Sequence, residues 1–236
     1  MASSRRALAS RGCARPSPHH LQRPPGRGPS SVLELRGIAC VRGTRSLFTG
    51  LDLKVPGGQL LRVQGANGAG KTSLLRMMCG LLAPAQGAVW WRGQKISALR
   101  EEFNRELIFL GHAAALKDDL SALENLVTAA RLGGLVVTPA QARTALAAAG
   151  LRGRDAAPSR IPSQGQRKRV SLARLLLGIE TRLWVLDEPF NALDVAATAW
   201  LIELIGEQVA RGGIVVLTSH QTVAIDERVP QVVLNL

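Results

Sequence analysis

From Val32 onward the chain alternates between short apolar runs and longer segments whose apolar residues recur at helical spacing. Val32-Leu33-Glu34-Leu35-Arg36-Gly37-Ile38 alternates roughly apolar with polar, which predicts a strand. Gln59 to Gln64 reads as another strand, followed at once by a glycine-rich loop, Gly65 to Lys71. Leu74, Leu75, Met78 and Leu82 then share helical spacing, so a helix is expected after the loop. Val89-Trp90-Trp91 reads as a short strand before the Arg92-Gly93 turn. Residues 97–155 read as mainly helical. Within them Ser121 and Glu124 have the spacing of a capping box, and Thr138-Pro139 marks a second helix start that Gly150 ends. Leu183 to Leu186 is wholly apolar, as in a strand buried on both faces. Asp194 opens a helix that stops at Gly212, Ile214 to Thr218 is a second buried strand, and Val232 to Leu234 is a last one.

Strands alternating with helices predict an α/β fold with a largely parallel sheet. The helical middle interrupts that alternation and is expected to form a subdomain, about residues 97–165, inside one domain spanning 32–236. The length of 236 residues and a 46% hydrophobic share suit such a domain with a sizeable core. No stretch supplies about 18 consecutive apolar residues, so a membrane role would need a separate embedded partner.

Charge changes the picture only at the N-terminus. Nearly half of the net charge of +13 comes from Arg5, Arg6, Arg11, Arg15, Arg23 and Arg27, in a Ser-, Pro- and Gly-rich stretch with no acidic residue. Residues 1–31 are therefore expected to be a basic, disordered extension. Their composition suits an organelle transit peptide or a start assigned too far upstream. Nucleic acid is not expected as a partner, because the rest of the charge reads as solvated surface. Cys13, Cys40 and Cys79 show no paired metal-ligand spacing, and an odd count argues against a disulfide framework. The compartment reads as reducing, and Cys79 as a core residue.

The chemistry begins at Gly65-Ala66-Asn67-Gly68-Ala69-Gly70-Lys71-Thr72, followed by Ser73, which matches the phosphate-binding loop G-x4-G-K-[ST] between a strand and a helix. Its glycines let backbone N–H groups turn toward a phosphate chain, and the helix start adds its positive dipole end. Lys71 can reach the β- and γ-phosphates of ATP, and the Thr72 hydroxyl can hold Mg²⁺. Leu183-Trp184-Val185-Leu186-Asp187-Glu188 is an apolar strand ending in two carboxylates. Asp187 suits a Mg²⁺ partner, and Glu188 a base that orients and deprotonates the attacking water.

Pro162-Ser163-Gln164-Gly165-Gln166 resembles the signature segment of ABC ATP-binding domains, with Pro162 and Gln164 replacing the usual Leu and Gly. Asn191-Ala192-Leu193-Asp194 resembles that family's dimer loop, and His220 its switch histidine. His112 stands where the family usually has the Q-loop Gln, and Arg42 where it has an aromatic against adenine. The resemblance runs from about Val32 to the C-terminus, with the motifs in family order. It implies an ABC-type P-loop fold with a mixed-sheet core, a small antiparallel β part and a helical subdomain. It also implies that Ser163, Gly165 and Gln166 meet the ATP held by a second copy, that His220 bonds the γ-phosphate, and that His112 joins Thr72 and Asp187 near the metal. The run Arg167-Lys168-Arg169 reads as a solvated helix face.

Three segments are similar to one branch, the haem-exporter-type ATP-binding subunits of cytochrome c maturation (the CcmA family). They are Gly65 to Leu82 with Ala85 to Gly93, Leu110-Gly111-His112 through Leu126, and Asp187 to Asp194 with Ser219-His220-Gln221. This resemblance implies a peripheral ATPase at the cytoplasmic face of the inner membrane, paired with integral membrane subunits and energising haem handling or export. Direct haem binding is not expected, since no C-x-x-C-H occurs. An ABC ATPase of another exporter, a nucleic-acid-associated ABC ATPase and a non-hydrolysing module are the alternatives.

Overall fold

The computed structural model describes residues 32–153, 163–220 and 224–236. The basic extension 1–31, Pro162 and Gln221 lie outside the described residues. In chain order the elements are β1 (Val32–Arg42), β2 (Arg45–Pro56), β3 (Gln59–Gln64), α1 (Lys71–Met78), β4 (Gln86–Trp91), β5 (Gln94–Lys95), α2 (Ile96–Arg105) and β6 (Leu107–Leu110). There follow α3 (Ala122–Leu132), α4 (Pro139–Ala148), α5 (Gln164–Leu177), β7 (Leu183–Leu186), α6 (Val195–Ala210), β8 (Ile214–Thr218) and β9 (Gln231–Asn235). Two sheets result. One is antiparallel in the order β2-β1-β4-β5, and the other is parallel in the order β6-β7-β8-β3-β9.

The central strands of the parallel sheet feed two cores. Side chains alternate across a strand. Leu183 and Val185 of β7 and Ile214 and Val216 of β8 therefore pack with α1 and the antiparallel sheet. Trp184, Leu186, Val215 and Leu217 pack on the opposite face with α5 and α6. Every residue of β7 and β8 is buried, which is why both runs carry no polar alternation apart from the terminal Thr218. A third core joins α3, α4 and α5 through Leu126, Ala130, Leu146, Val170 and Ala173.

Three sequence expectations shift. The stretch read as mainly helical contains β6, which pairs in parallel with β7 in register Leu107↔Leu183. Four apolar residues are too few to separate a buried strand from a helix turn by periodicity. The strand β2 has no counterpart in the sequence reading. Its pairing with β1 slips at several points between Leu35 and Val41, so the apolar period is broken. The helix after the loop ends at Met78, and Leu82 lies beyond it, 39% exposed. The capping box at Ser121 forms as expected, and Thr138 builds a second one with Gln141. Among the described residues no helix is long and apolar enough to cross a membrane.

One buried amide ties the loop before α3 to that helix. Asn125 is 4% exposed and donates to the carbonyls of Lys117, Leu120 and Ser121, while its Oδ1 accepts from Lys117 N–H at 2.8 Å. Replacing it with Ala strands these groups in the interior. Asn125→Ala is expected to destabilise the fold by about 2–4 kcal/mol, read as a lower urea midpoint at unchanged slope.

Candidate functional site

The glycine-rich loop connects β3 to α1. Gly70 is the N-cap of α1 at φ 105, and a Cβ there would lie 2.9 Å from the Phe48 ring. No L side chain fits that conformation and space, so the turn requires glycine. Lys71 is only 8% exposed, and its Nζ donates to the carbonyls of Gly65 at 2.8 Å and Ala66 at 3.1 Å. The ammonium thus folds back over the loop. Thr72 Oγ1, at the start of α1, donates to Asp187 Oδ2 at 2.9 Å. Asp187 lies at the end of β7, and its second oxygen accepts from Thr218 Oγ1 at 2.8 Å.

Glu188 follows with φ 50, a backbone region that non-glycine residues rarely enter. Its N–H donates to Thr218 Oγ1 at 2.9 Å. Its carboxylate is buried. Oε2 accepts from His220 N–H at 3.1 Å, whereas Oε1 makes no hydrogen bond and lies 3.4 Å from His220 Nε2. A buried carboxylate with one uncommitted oxygen has the form of a proton acceptor.

These groups share an open pocket of about 420 Å³. Asn67, Gly68, Gly70, Lys71, Thr72 and Ser73 line one part of it, and His112, Asp187, Glu188 and His220 another. Arg42, Arg45 and Leu47, from and beside the β1–β2 hairpin, complete the rim. Among the described residues no Phe, Tyr or Trp side chain lines it, and Arg42 stands at the rim. The Thr72 hydroxyl and the Asp187 carboxylate are adjacent hard oxygen donors. They fit a small divalent cation that takes its other ligands from water and phosphate. His112 reaches the same pocket, but its nitrogen is a softer donor than such a cation prefers.

Ser163, Gly165 and Gln166 do not line this pocket. Ser163 is exposed and caps α5, its Oγ accepting from Gln166 N–H at 3.2 Å. A Cβ on Gly165 would lie 2.5 Å from the Ala192 carbonyl, so glycine allows the start of α5 to press against the 191–194 loop. Arg169 and Asp194 pin the same contact at 2.6 Å.

The run Arg167-Lys168-Arg169 is not the solvated face expected from the sequence. Arg167 pairs with Asp118 and Arg169 with Asp194. Lys168 is 7% exposed and donates to the Asp187 carbonyl at 3.4 Å. Burial lowers the ammonium's pKa below the usual lysine value, while the negative charges of Asp187 and Glu188 oppose that shift.

The known proteins agree with this architecture. The ABC transporter family model matches residues 48–191, well over half of the chain. The cytochrome c biogenesis ATP-binding export protein CcmA of Dechloromonas aromatica is 50% identical, covering 82% of this chain and 95% of its own. The protein of the same name from Aromatoleum aromaticum is also 50% identical, over 87% and 95%. The chain belongs to the CcmA-like ABC ATP-binding proteins. Among solved structures, the ATP-binding subunit of an ABC transporter superposes with a TM-score of 0.73 at 27% identity, covering 86% of this chain and 85% of that one. A dimeric ATP-binding cassette in a post-hydrolysis state shares the fold, with a TM-score of 0.70 at 22% identity, over 80% and 88%.

An ABC ATP-binding protein of this type binds and hydrolyses ATP. Three pocket or near-pocket residues of this family member escaped the sequence reading. Arg45 and Leu47 lie on the unpredicted β2, so nothing placed them near the loop. From sequence Thr218 reads only as a strand end, although an isolated hydroxyl closing an apolar run two residues before His220 is a usable signal.

Proposed function

We propose that this chain is the ATP-hydrolysing subunit energising haem handling in c-type cytochrome biogenesis. The carrying observation is the 50% identity to CcmA proteins over 95% of their length. The pocket around Lys71 and Glu188 adds the chemistry that such a subunit needs.

In this reading ATP lies along the glycine-rich loop, with Lys71 swinging from its loop carbonyls to the β- and γ-phosphates. Thr72 and Asp187 would hold Mg²⁺, which would supply charge neutralisation on the phosphates. Glu188 accepts a proton from the attacking water through Oε1, and His220 stands beside the γ-phosphate. Ser163, Gly165 and Gln166 face a second copy's nucleotide. Ser163 is exposed, Gly165 and Gln166 are partly exposed, and all three lie outside the chain's own pocket, which supports that arrangement. The dimeric solved cassette of the same fold supports pairing of two copies. Integral membrane subunits provide the route through the bilayer, and the chain sits peripherally on their cytoplasmic side.

Haem belongs to those partners. Cys40 and Cys79 are buried, and burial holds the Cys79 thiol far above the usual range, so it offers no thiolate to iron. Deleting the gene is expected to abolish mature c-type cytochromes, seen as loss of haem-stained bands. The parental chain should restore them and a Lys71→Ala chain should not. Persistence of those bands in the deletion strain would assign the ATPase to another exporter.

A further inference from the structure

The Asp187–Glu188 peptide is held from both sides. Its carbonyl accepts from Lys168 Nζ at 3.4 Å, and its N–H donates to Thr218 Oγ1 at 2.9 Å. The same hydroxyl donates to Asp187 Oδ1 at 2.8 Å, so one threonine fixes both the peptide and the carboxylate that precedes Glu188. Thr218 is fully buried and Lys168 nearly so. The peptide needs such restraint, because Glu188 sits at φ 50, where L side chains are strained. With this peptide held, φ at Glu188 is held too, and a change in that angle would re-aim the Glu188 side chain away from His220 and the pocket. Lys168 differs from its neighbours, since Arg167 and Arg169 bond the carboxylates of Asp118 and Asp194 instead. It also stands on α5, five positions after Ser163, so the helix carrying the exposed signature serine touches the backbone that orients Glu188.

We propose that Lys168 and Thr218 are positioning residues that clamp the Asp187–Glu188 peptide and so hold the Glu188 carboxylate in its proton-accepting pose. The inference rests on the reading of Glu188 as the base. It adds a link within one chain between the signature helix and that base, through the Lys168 ammonium.

The test uses the full chain purified with its co-purifying membrane subunits, measuring kcat and KM for ATP and the melting temperature. Lys168→Met keeps the apolar stem without the ammonium, and Thr218→Val keeps the shape without the hydroxyl. Each is expected to lower kcat by about tenfold or more with KM within about twofold. Lys168→Arg and Thr218→Ser should recover most of the loss, which a general packing defect would not do. Should Lys168→Met fail to fold, Lys168→Arg against Lys168→Gln gives the same comparison at that end. Unchanged kcat in either truncated variant, or a loss carried by KM, overturns the clamp. Glu188→Gln is run beside them. If it is inactive while Lys168→Met and Thr218→Val turn over normally, the clamp falls and the base reading stands. If Glu188→Gln itself turns over at the parental rate, the base reading fails first.

Discussion

Glu188→Gln is expected to cut ATP turnover by roughly 10²–10³-fold while leaving ATP bound. The amide replaces the carboxylate nearly isosterically, and its oxygen can still accept from His220 N–H, as Glu188 Oε2 does at 3.1 Å. What disappears is proton acceptance at the other position, where Oε1 is buried with no hydrogen-bond donor committed to it. Among the described residues lining the pocket no second buried carboxylate oxygen is free, and His112 is exposed. The Asp187 oxygens are taken by Thr72 and Thr218, and His220 is half-exposed at the rim. Binding groups remain, so under the proposed function ATP is expected to persist and to hold two copies together at Ser163 and Gly165. Gel filtration with ATP should show a dimer that the parental chain forms only transiently. Parental turnover in this variant would remove Glu188 from the reaction.

The parts of this site that were legible in the sequence are those defined by local spacing. Gly65 to Ser73 is a loop whose glycines, lysine and hydroxyls act within nine residues. Asp187 and Glu188 end a strand whose four apolar residues mark it as buried, and His220 follows the next such strand. Each needs only its neighbours to be recognised. Lys168 was missed for the opposite reason. Between two arginines on a polar helix start it looks solvated. Its burial depends on β7 passing beneath α5, a contact between residues 19 positions apart. The same holds for the rim. The pairing of Arg42 with Arg45 follows from the β1–β2 hairpin, and the irregular register of that hairpin hides β2 from any periodic reading. Fold class depended on short apolar strands marked by what flanks them, as Leu183 to Leu186 is by Asp187 and Glu188, and was readable. The four-residue β6 was not, because its identity as a strand is conferred by β7.

Geometry also explains why the signature segment tolerates one of its two departures, Gln164. Its first position, Pro162, lies outside the described residues. Gln164, the first residue of α5, is exposed, so a side chain larger than glycine's has room there. Gly165 differs, because the Ala192 carbonyl occupies the space of its Cβ. The departure falls at an exposed position, and glycine is kept where the start of α5 touches the 191–194 loop.

Lys71→Ala is expected to weaken productive ATP binding by two orders of magnitude or more, while the fold hardly changes. Charge-assisted hydrogen bonds contribute about 1.5–3 kcal/mol each, so losing two from Lys71 to the phosphates gives roughly 10²–10⁴-fold. The scaffold loses much less. Among the described residues Lys71 Nζ bonds only the Gly65 and Ala66 carbonyls, and both residues border the open loop, where water can take its place. The loop itself is shaped by Gly70 and by the Phe48 ring behind it, neither of which depends on the ammonium. Thermal unfolding with and without Mg-ATP separates the two effects. The ligand-free melting temperature should stay within a few degrees of the parental value, and the upward shift produced by ATP should vanish. A variant that loses stability without ligand yet keeps its ATP-induced shift would make Lys71 a structural residue, and phosphate recognition would then rest on the backbone N–H groups alone.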